Sequence, residues 1–189
     1  MPDRQKLRGK AWVFQGLLDA DKEICPLDIV LDLRDKGLPI TEQSLGRYCM
    51  TKLDPDFPEK VQPGDFIVGG ESTGYTAACL DGDPEDPHAL AYATKSILGA
   101  GVAAVLCESC NFVFLRNSLD HGLPIVECKG VIEKVRQGDE LEIDLHAGLV
   151  KNLTTGEEMS FPILPDFILQ TLAEGGVYSQ LAARQAQGS

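Results

Sequence analysis

Two hydroxyl side chains in a glycine-rich segment are the first candidates for chemistry in this sequence. Ser72 and Thr76 flank Thr73 and Gly74, and the segment follows a short apolar run at residues 66–68. A buried strand that ends in such a turn leaves backbone N–H groups free to bind an anion. A hydroxyl becomes a useful base only beside a group that lowers its pKa. The segment therefore predicts an anion site at Ser72, Thr73 and Gly74, with Thr76 as a candidate for proton transfer and a plain turn hydrogen bond as the alternative.

A second candidate lies where the sequence predicts the next helix to begin. Asp86 and Pro87 are residue types preferred at an N-cap and at the first helical position. His88 follows in the first helical turn, where it could donate to a carboxylate or transfer a proton. A positive histidine is mildly disfavoured at a helix N-terminus, so an exposed histidine without a role is the alternative.

An inserted acidic loop, residues 79–86, separates the turn from that helix. Its acids alternate for a few residues as they do in a calcium loop. The candidate ligands for a divalent metal are Asp81, Asp83, Glu85 and His88. The glycine and the proline between the acids fit no complete calcium-loop pattern, and the closing bidentate glutamate is lacking. A solvated acidic loop is therefore the main interpretation, and a self-contained metal enzyme is the alternative.

The six cysteines do not form a recognisable metal-binding set. Only Cys107 and Cys110 have the Cys-x-x-Cys spacing, and no second pair completes a group of four ligands. Cys107 closes an apolar run, which favours a reduced and packed thiol. We therefore expect this chain itself to bind no cofactor.

The charge composition of the chain argues against some classes of binding partner. The chain has 29 acidic and 17 basic residues and a formal net charge of −12, whereas nucleic acids and acidic membranes require a basic face. No hydrophobic run approaches the roughly 20 residues of a membrane span. The charged start of the sequence does not resemble a signal peptide. We expect a cytoplasmic protein without a nucleic-acid or membrane partner.

The strands that must position these residues fall into two groups. Continuous apolar runs at residues 66–68 and 102–106, each flanked by glycine turns, predict interior strands of a sheet. From residue 131 to residue 161 the pattern becomes that of β-structure, because apolar and acidic residues alternate at 140–145. Strands and helices are therefore predicted to alternate only in the first part of the chain. This pattern predicts an α/β fold with a mixed or barrel-like sheet and argues against a doubly wound nucleotide-binding domain.

Helices are predicted between and after these strands. Apolar periodicity indicates helices at residues 89–98, 112–119 and 165–172. Ser44 is a candidate N-cap for a further helix that runs through Met50. The length of 189 residues suits one domain, residues 1–189. Residues 184–189 are predicted to form a disordered tail.

Five segments, in order, resemble the small subunit of 3-isopropylmalate dehydratase and its relatives, the swivel domain of the aconitase superfamily. They are residues 9–14 with Asp19 to Asp21 and Pro26, residues 49–65, residues 101–124, residues 138–156, and residues 165–176. The resemblance covers nearly the whole chain. It implies a swivel-type β/β/α domain.

The resemblance also implies an activity and a partner. Enzymes of this family remove water from a 2-hydroxy di- or tricarboxylate and add it back. Their large subunit carries a 4Fe-4S cluster that acts on the hydroxyl as a Lewis acid, while the small subunit brings a base and carboxylate-binding groups. We therefore expect this chain to act on a small carboxylate only within a heterodimer or heterotetramer with a large subunit.

Two further site positions follow from the resemblance. Asp21 matches the second acid of an Asp-Thr-Asp segment and is expected to line the site, the alternative being a surface loop acid. Arg116 matches the arginine of an Arg-Asn pair and is expected to bind substrate. An ion pair with a local acid on a helix surface is the alternative for Arg116.

The sequence departs from the family at the turn itself. Relatives continue with Ser-Ser-Arg, in which a serine is the base and the arginine holds a substrate carboxylate. Counted from Gly74, these positions are Ala77, Ala78 and Cys79, and counted back from Gly101 they begin at His88. Neither register supplies the serine or the arginine. The departure predicts a rearranged site or a different substrate, and the alternative is a non-catalytic or regulatory subunit that keeps the fold.

Overall fold

The sheet at the centre of the fold contains seven strands in the part of the chain that the computed structural model describes, residues 6–76 and 91–187. The strands are β1 (Lys6–Val13), β2 (Phe66–Gly69), β3 (Ala104–Cys107), β4 (Ile125–Glu127), β5 (Glu140–Asp144), β6 (Leu149–Asn152) and β7 (Glu158–Ser160). Their order across the sheet is β4-β3-β2-β1-β5-β6-β7. The predicted mixed sheet is confirmed.

Strands β1 to β4 form a parallel half of the sheet. Both predicted interior strands are confirmed, because β2 and β3 each have a hydrogen-bonded neighbour on either side and every residue in them is buried. Parallel strands end at the same edge of a sheet, so the loops that follow β1, β2 and β3 are brought together there. This edge carries the glycine-rich turn.

Strands β5 to β7 form an antiparallel half that joins the parallel half through β1. The predicted alternation is confirmed in β5, where Leu141 and Ile143 are buried between half-buried neighbours. The predicted β-region does not begin at residue 131, however. A short helix forms there because the Glu108 carboxylate accepts hydrogen bonds from the amides of Gly130 and Ile132, at 2.8 and 3.0 Å.

The described residues also form eight α-helices and one short π-helix. The helices are α1 (Leu27–Asp35), α2 (Glu42–Gly46), α3 (Phe57–Lys60), α4 (Tyr92–Gly99), α5 (Phe112–Asp120), α6 (Val131–Lys134), α7 (Asp166–Ala173) and α8 (Val177–Gln187), with the π-helix at Ala20–Ile24. In the described ranges, no helix combines the length and the apolar character that a membrane crossing needs.

Two predictions about helix ends need correction. The N-cap of α2 is Thr41 rather than Ser44, because the Thr41 hydroxyl accepts from the Ser44 amide and the Ser44 hydroxyl accepts from the Thr41 amide in a capping box. Helix α8 extends through Gln187, into the segment 184–189 for which disorder is predicted. The physical reason is that alanine, arginine and glutamine, which make up much of this segment, have high helix propensity.

Each face of the sheet has its own hydrophobic core, because successive residues of a strand point to opposite faces. Ile67 packs in the core that contains residues of α1, α2 and α4. Phe66 and Val68 pack in the core that contains residues of α6, α7 and β5. Both faces of β2 are therefore covered, which fixes the position of the turn that follows it.

Candidate active site

The segment that follows β2, residues 70–76 and hereafter the 70–76 turn, is fixed by backbone hydrogen bonds to the loop after β1. The Gly74 amide donates to the Leu18 carbonyl at 2.7 Å, and the Ala20 amide donates to the Tyr75 carbonyl at 2.7 Å. Tyr75 and Asp19 also form an isolated parallel bridge. These contacts place the second half of the turn beside the π-helix at Ala20–Ile24.

The loop after β3 holds the turn from the opposite side. The Thr73 amide donates to the Ser109 carbonyl at 3.0 Å, and the Asn111 amide donates to the Thr73 carbonyl at 2.9 Å. The Ser72 amide donates to the Ser109 hydroxyl at 2.9 Å. The backbone of the turn is thus fixed between two neighbouring loops before any ligand or partner is present.

The hydroxyl of Thr76 donates a hydrogen bond to the Asp21 carboxylate, across 55 positions of the sequence. Thr76 is buried and Asp21 is half-buried. A carboxylate that accepts from a hydroxyl can take its proton when the hydroxyl oxygen in turn removes a proton from another group. The pair can therefore transfer a proton, which the sequence alone could not establish for Thr76.

Asp21 is presented by an unusual element. It lies in the π-helix, a rare conformation that is frequent at functional sites. The Asp19 carboxylate accepts from the Asp21 amide at 2.8 Å, and the Glu23 carboxylate accepts from the Asp19 amide at 3.0 Å. Because Asp19 is 3% exposed, these bonds fix the backbone of Asp21 from the protein interior.

The other predicted turn residues have different positions. Ser72 is exposed and has a positive φ of 54°, an uncommon conformation for a residue with a side chain. Thr73 is fully buried, and its hydroxyl donates to the Gly70 carbonyl at 3.0 Å. The Thr73 side chain therefore supports the turn from the interior, and substrate binding by Thr73 stays a prediction.

Two predicted site residues are not brought into this group by the described contacts. The Arg116 guanidinium lies on the surface of α5 with 74% of its side chain exposed, and its Nε is 4.0 Å from the Asp120 carboxylate. This is the local ion pair that the sequence analysis gave as the alternative. His88, with the inserted loop at 79–86, lies outside the described residues.

A cleft of about 1120 Å³ opens between the 70–76 turn and helix α6; we call it the turn cleft. Its lining is contributed by residues 15–17, residues 70–72, Glu108, Gly130, Ile132, Glu133 and Arg136. Sequence reasoning missed the contribution of residues 130–136, which are distant in sequence and carry no recognisable motif. Glu108 could have been noticed as an acid at the end of a predicted buried strand.

The thiols near the site are buried and protonated. Contact with the Cys110 thiol, together with burial, raises the pKa of the Cys107 thiol. Burial raises the pKa of Cys25 and of Cys49 to about 12. In the described ranges, no group of three or more His, Cys, Asp and Glu side chains has the geometry to hold a metal ion.

These pKa values predict selective thiol chemistry. At pH 8 a thiol with a pKa near 12 has only ~10⁻⁴ of its population as the reactive thiolate. We expect Cys25 and Cys49 to remain unlabelled by a thiol reagent in the folded protein at pH 8 and to react after unfolding. Among the five described cysteines, the half-buried Cys110 should be labelled first, as read from peptide masses. Labelling of Cys25 at equal rates before and after unfolding would contradict this description of the core.

Comparison with known proteins adds relatives along the whole chain, although no family model matches the sequence. The chain is 37% identical over 184 residues to the isopropylmalate/citramalate isomerase small subunit of Methanocaldococcus jannaschii, covering 97% of this chain and 98% of that protein. It is 37% identical over 177 residues to the 3-isopropylmalate dehydratase small subunit 1 of Methanopyrus kandleri, covering 92% and 91% of the two chains.

A solved structure shares the fold. The crystal structure of 3-isopropylmalate dehydratase from Methanocaldococcus jannaschii superposes with a TM-score of 0.79 and 24% identity, over 97% of each chain. At this identity the likeness concerns the fold alone, and it agrees with the mixed sheet described above.

Proposed function

Because the chain belongs to the family of 3-isopropylmalate dehydratase small subunits, we propose that it works with a cluster-bearing large subunit as a hydro-lyase on a small 2-hydroxy di- or tricarboxylate. Two relatives are named for isopropylmalate, and one of these also for citramalate. Both are 2-hydroxy acids with two carboxylates. They are the first substrates to test.

The chemistry is divided between the two subunits. A 4Fe-4S cluster in the large subunit would supply the Lewis acid that helps the substrate hydroxyl to leave. We assign this cluster to the large subunit because the relatives are named as small subunits of a two-subunit enzyme. This chain then contributes a proton acceptor and part of the substrate-binding surface.

The hydrogen bond between Thr76 and Asp21 carries this proposal. In dehydration, the Thr76 oxygen takes the proton from the carbon next to the hydroxyl-bearing carbon, while the Thr76 hydroxyl proton passes to Asp21. The electrons of the broken carbon–hydrogen bond form the double bond as the carbon–oxygen bond breaks. The hydroxide would leave toward the Lewis acid of the large subunit and, with the proton that Asp21 releases to solvent, make one water. Rehydration follows the same steps in reverse. Because such a pair has a chemical use, it favours a catalytic subunit over the non-catalytic alternative.

Exposed apolar side chains near the turn support a protein partner at this edge of the sheet. Leu17 borders the turn cleft, Tyr75 lies in the turn, and Phe112 begins α5; they are 51%, 41% and 75% exposed. Aromatic side chains such as those of Tyr75 and Phe112 are enriched at the centres of protein interfaces. We propose that the large subunit covers them and closes the site.

We further propose that residues 1–189 act as one domain and that the protein works in the cytoplasm. One sheet joins elements from β1 near the start to β7 near residue 160. The five described cysteines are free thiols, which suits a reducing compartment.

Reconstitution with the large subunit of the same organism tests the proposed function. The two purified subunits are mixed under anaerobic conditions and separated by size, and the complex is assayed with 3-isopropylmalate and with citramalate. We expect a stable complex and dehydration of at least one acid, seen as ultraviolet absorbance of the new double bond conjugated to a carboxylate. A stable complex that dehydrates no 2-hydroxy di- or tricarboxylate would contradict the proposal.

A further inference from the structure

We propose that Arg136 binds one carboxylate of the substrate in the turn cleft, and so replaces the arginine that the turn lacks. This inference rests on the proposed function, because it assumes that a carboxylate substrate enters the cleft beside the turn. It assigns a specificity-determining role to a residue outside the family motif.

The position of Arg136 is the first observation. The turn cleft is bordered on one side by Gly70, Glu71 and Ser72 and on the other by residues that include Arg136. Among the described residues that line the cleft, Arg136 is the one with a permanently positive side chain. A guanidinium presents several N–H donors in a plane that matches a carboxylate.

Within the described residues, the guanidinium of Arg136 is also not engaged by an acid. Its Nη1 donates to the carbonyl of Ile132 at 3.4 Å. No carboxylate of the described residues lies within 4.0 Å of it, although eight other ion pairs form in this part of the chain. The chain has 29 acidic and 17 basic residues, yet this cleft arginine has no acidic partner among the described residues, which leaves it with donors for a ligand.

The backbone that presents Arg136 is rigid. The Asp139 carboxylate accepts from the Arg136 amide at 2.9 Å, and the Asp139 amide donates to the Arg136 carbonyl at 3.1 Å. The same carboxylate accepts from the Asn152 side chain at 2.7 Å, and Asp139 is 7% exposed. A fixed backbone lowers the entropy that is lost when the side chain orders around a ligand.

The charges around Arg136 define what it can hold. Glu108 is occupied by the amides of Gly130 and Ile132, so its charge is partly compensated. Glu71 and Glu133 also border the cleft, and they disfavour a second negative group there. Arg136 therefore receives one carboxylate, and the other carboxylates of the substrate must be bound by the large subunit.

The test compares variants of Arg136 in the reconstituted complex with 3-isopropylmalate as substrate. Loss of a charge-assisted hydrogen bond should raise the KM of Arg136→Ala by about 10- to 100-fold, with kcat changed less than about threefold because the bond forms before the transition state. Arg136→Lys should lie between the wild type and Arg136→Ala, and Arg136→Glu should have the highest KM. Arg184→Ala, an exposed arginine of α8, is the matched control and should leave KM unchanged.

A KM that rises in the order Arg136→Lys, Arg136→Ala, Arg136→Glu follows the charge of the side chain and indicates carboxylate binding. A purely structural role of Arg136 would not produce this order. Equal KM values for the wild type and Arg136→Ala would overturn the inference, as would equal values for the three variants. If the wild-type complex has no activity, the proposed function fails, and calorimetric binding of 3-isopropylmalate to the wild-type and Arg136→Ala complexes then decides the inference. If Arg136→Ala does not form a complex with the large subunit, the KM values of Arg136→Lys and Arg136→Gln are compared instead, because these variants also differ in the charge of the side chain.

Discussion

A complex that contains Thr76→Val is expected to lose kcat by a factor of about 10²–10⁴, the usual contribution of a positioned acid or base. Valine keeps the shape of threonine and replaces the hydroxyl that donates to Asp21 by a methyl group. The proton acceptor is thereby removed while the turn keeps its backbone contacts to Leu18 and Ser109. Steady-state kinetics of the reconstituted complex measure the loss.

Two further variants define the reason for that loss. Thr76→Ser keeps a hydroxyl and should retain most of the activity. Asp21→Asn removes the carboxylate that accepts the proton of the Thr76 hydroxyl, so it should resemble Thr76→Val. Thr171→Val is the matched control, since its hydroxyl also donates a hydrogen bond but does so within α7, to the Phe167 carbonyl. A Thr76→Val complex with the kcat of the wild type would show that the hydroxyl has no part in the chemistry.

Gly74→Ala is expected to be the most damaging small substitution in the turn. Gly74 has a φ of 75°, and an added Cβ would lie 2.2 Å from Cγ of the buried Phe114. Left-handed strain of roughly 1–2 kcal/mol and overpacking of roughly 1–3 kcal/mol together predict a loss of about 2–5 kcal/mol in the free energy of unfolding. Activity should also be lost, because Phe114 and the turn must move apart.

Gly156→Ala is a close control for this substitution. Gly156 has a φ of 81°, and an added Cβ would have no heavy atom within 4 Å. It therefore has the same backbone strain without the collision, and we expect a loss of only about 1–2 kcal/mol. Denaturant unfolding of both variants measures the difference. Equal losses for the two glycine variants would mean that the contact between Gly74 and Phe114 does not constrain the turn.

The strands could be predicted from the local sequence because buried strands consist mainly of apolar residues. The apolar runs of β2 and β3 have few polar residues, as strands covered on both faces require. The alternation of apolar and acidic residues predicts β5 in the same way, because its apolar residues Leu141 and Ile143 pack in a core. The helix α5 could be predicted from the spacing of its apolar residues.

The site could be predicted only in part, because its decisive contacts join distant segments. Thr76 and Asp21 were both candidates, but nothing in the local sequence shows that one donates to the other. The helix α6 depends on the Glu108 carboxylate, which lies more than twenty positions earlier. Arg136 follows this helix in a stretch without a motif, so its place in the turn cleft is visible only in three dimensions.

Two separate roles are proposed for residues near the altered turn. We propose that Thr76 with Asp21 takes the role of the family serine, and that Arg136, which lines the turn cleft, takes that of the family arginine. Each replacement has its own test, because the first concerns kcat and the second concerns KM. The result for the Thr76 and Asp21 variants therefore does not decide the result for the Arg136 variants.

Omission of one subunit tests the central claim most directly. The wild-type chain, the large subunit with its iron–sulfur centre, and their complex are assayed separately at equal concentrations with the acid that the complex dehydrates. The account predicts turnover by the complex and none by either subunit alone, because this chain holds the proton acceptor and the partner holds the Lewis acid. Turnover by the isolated chain without iron, or turnover by the large subunit without this chain, would contradict it.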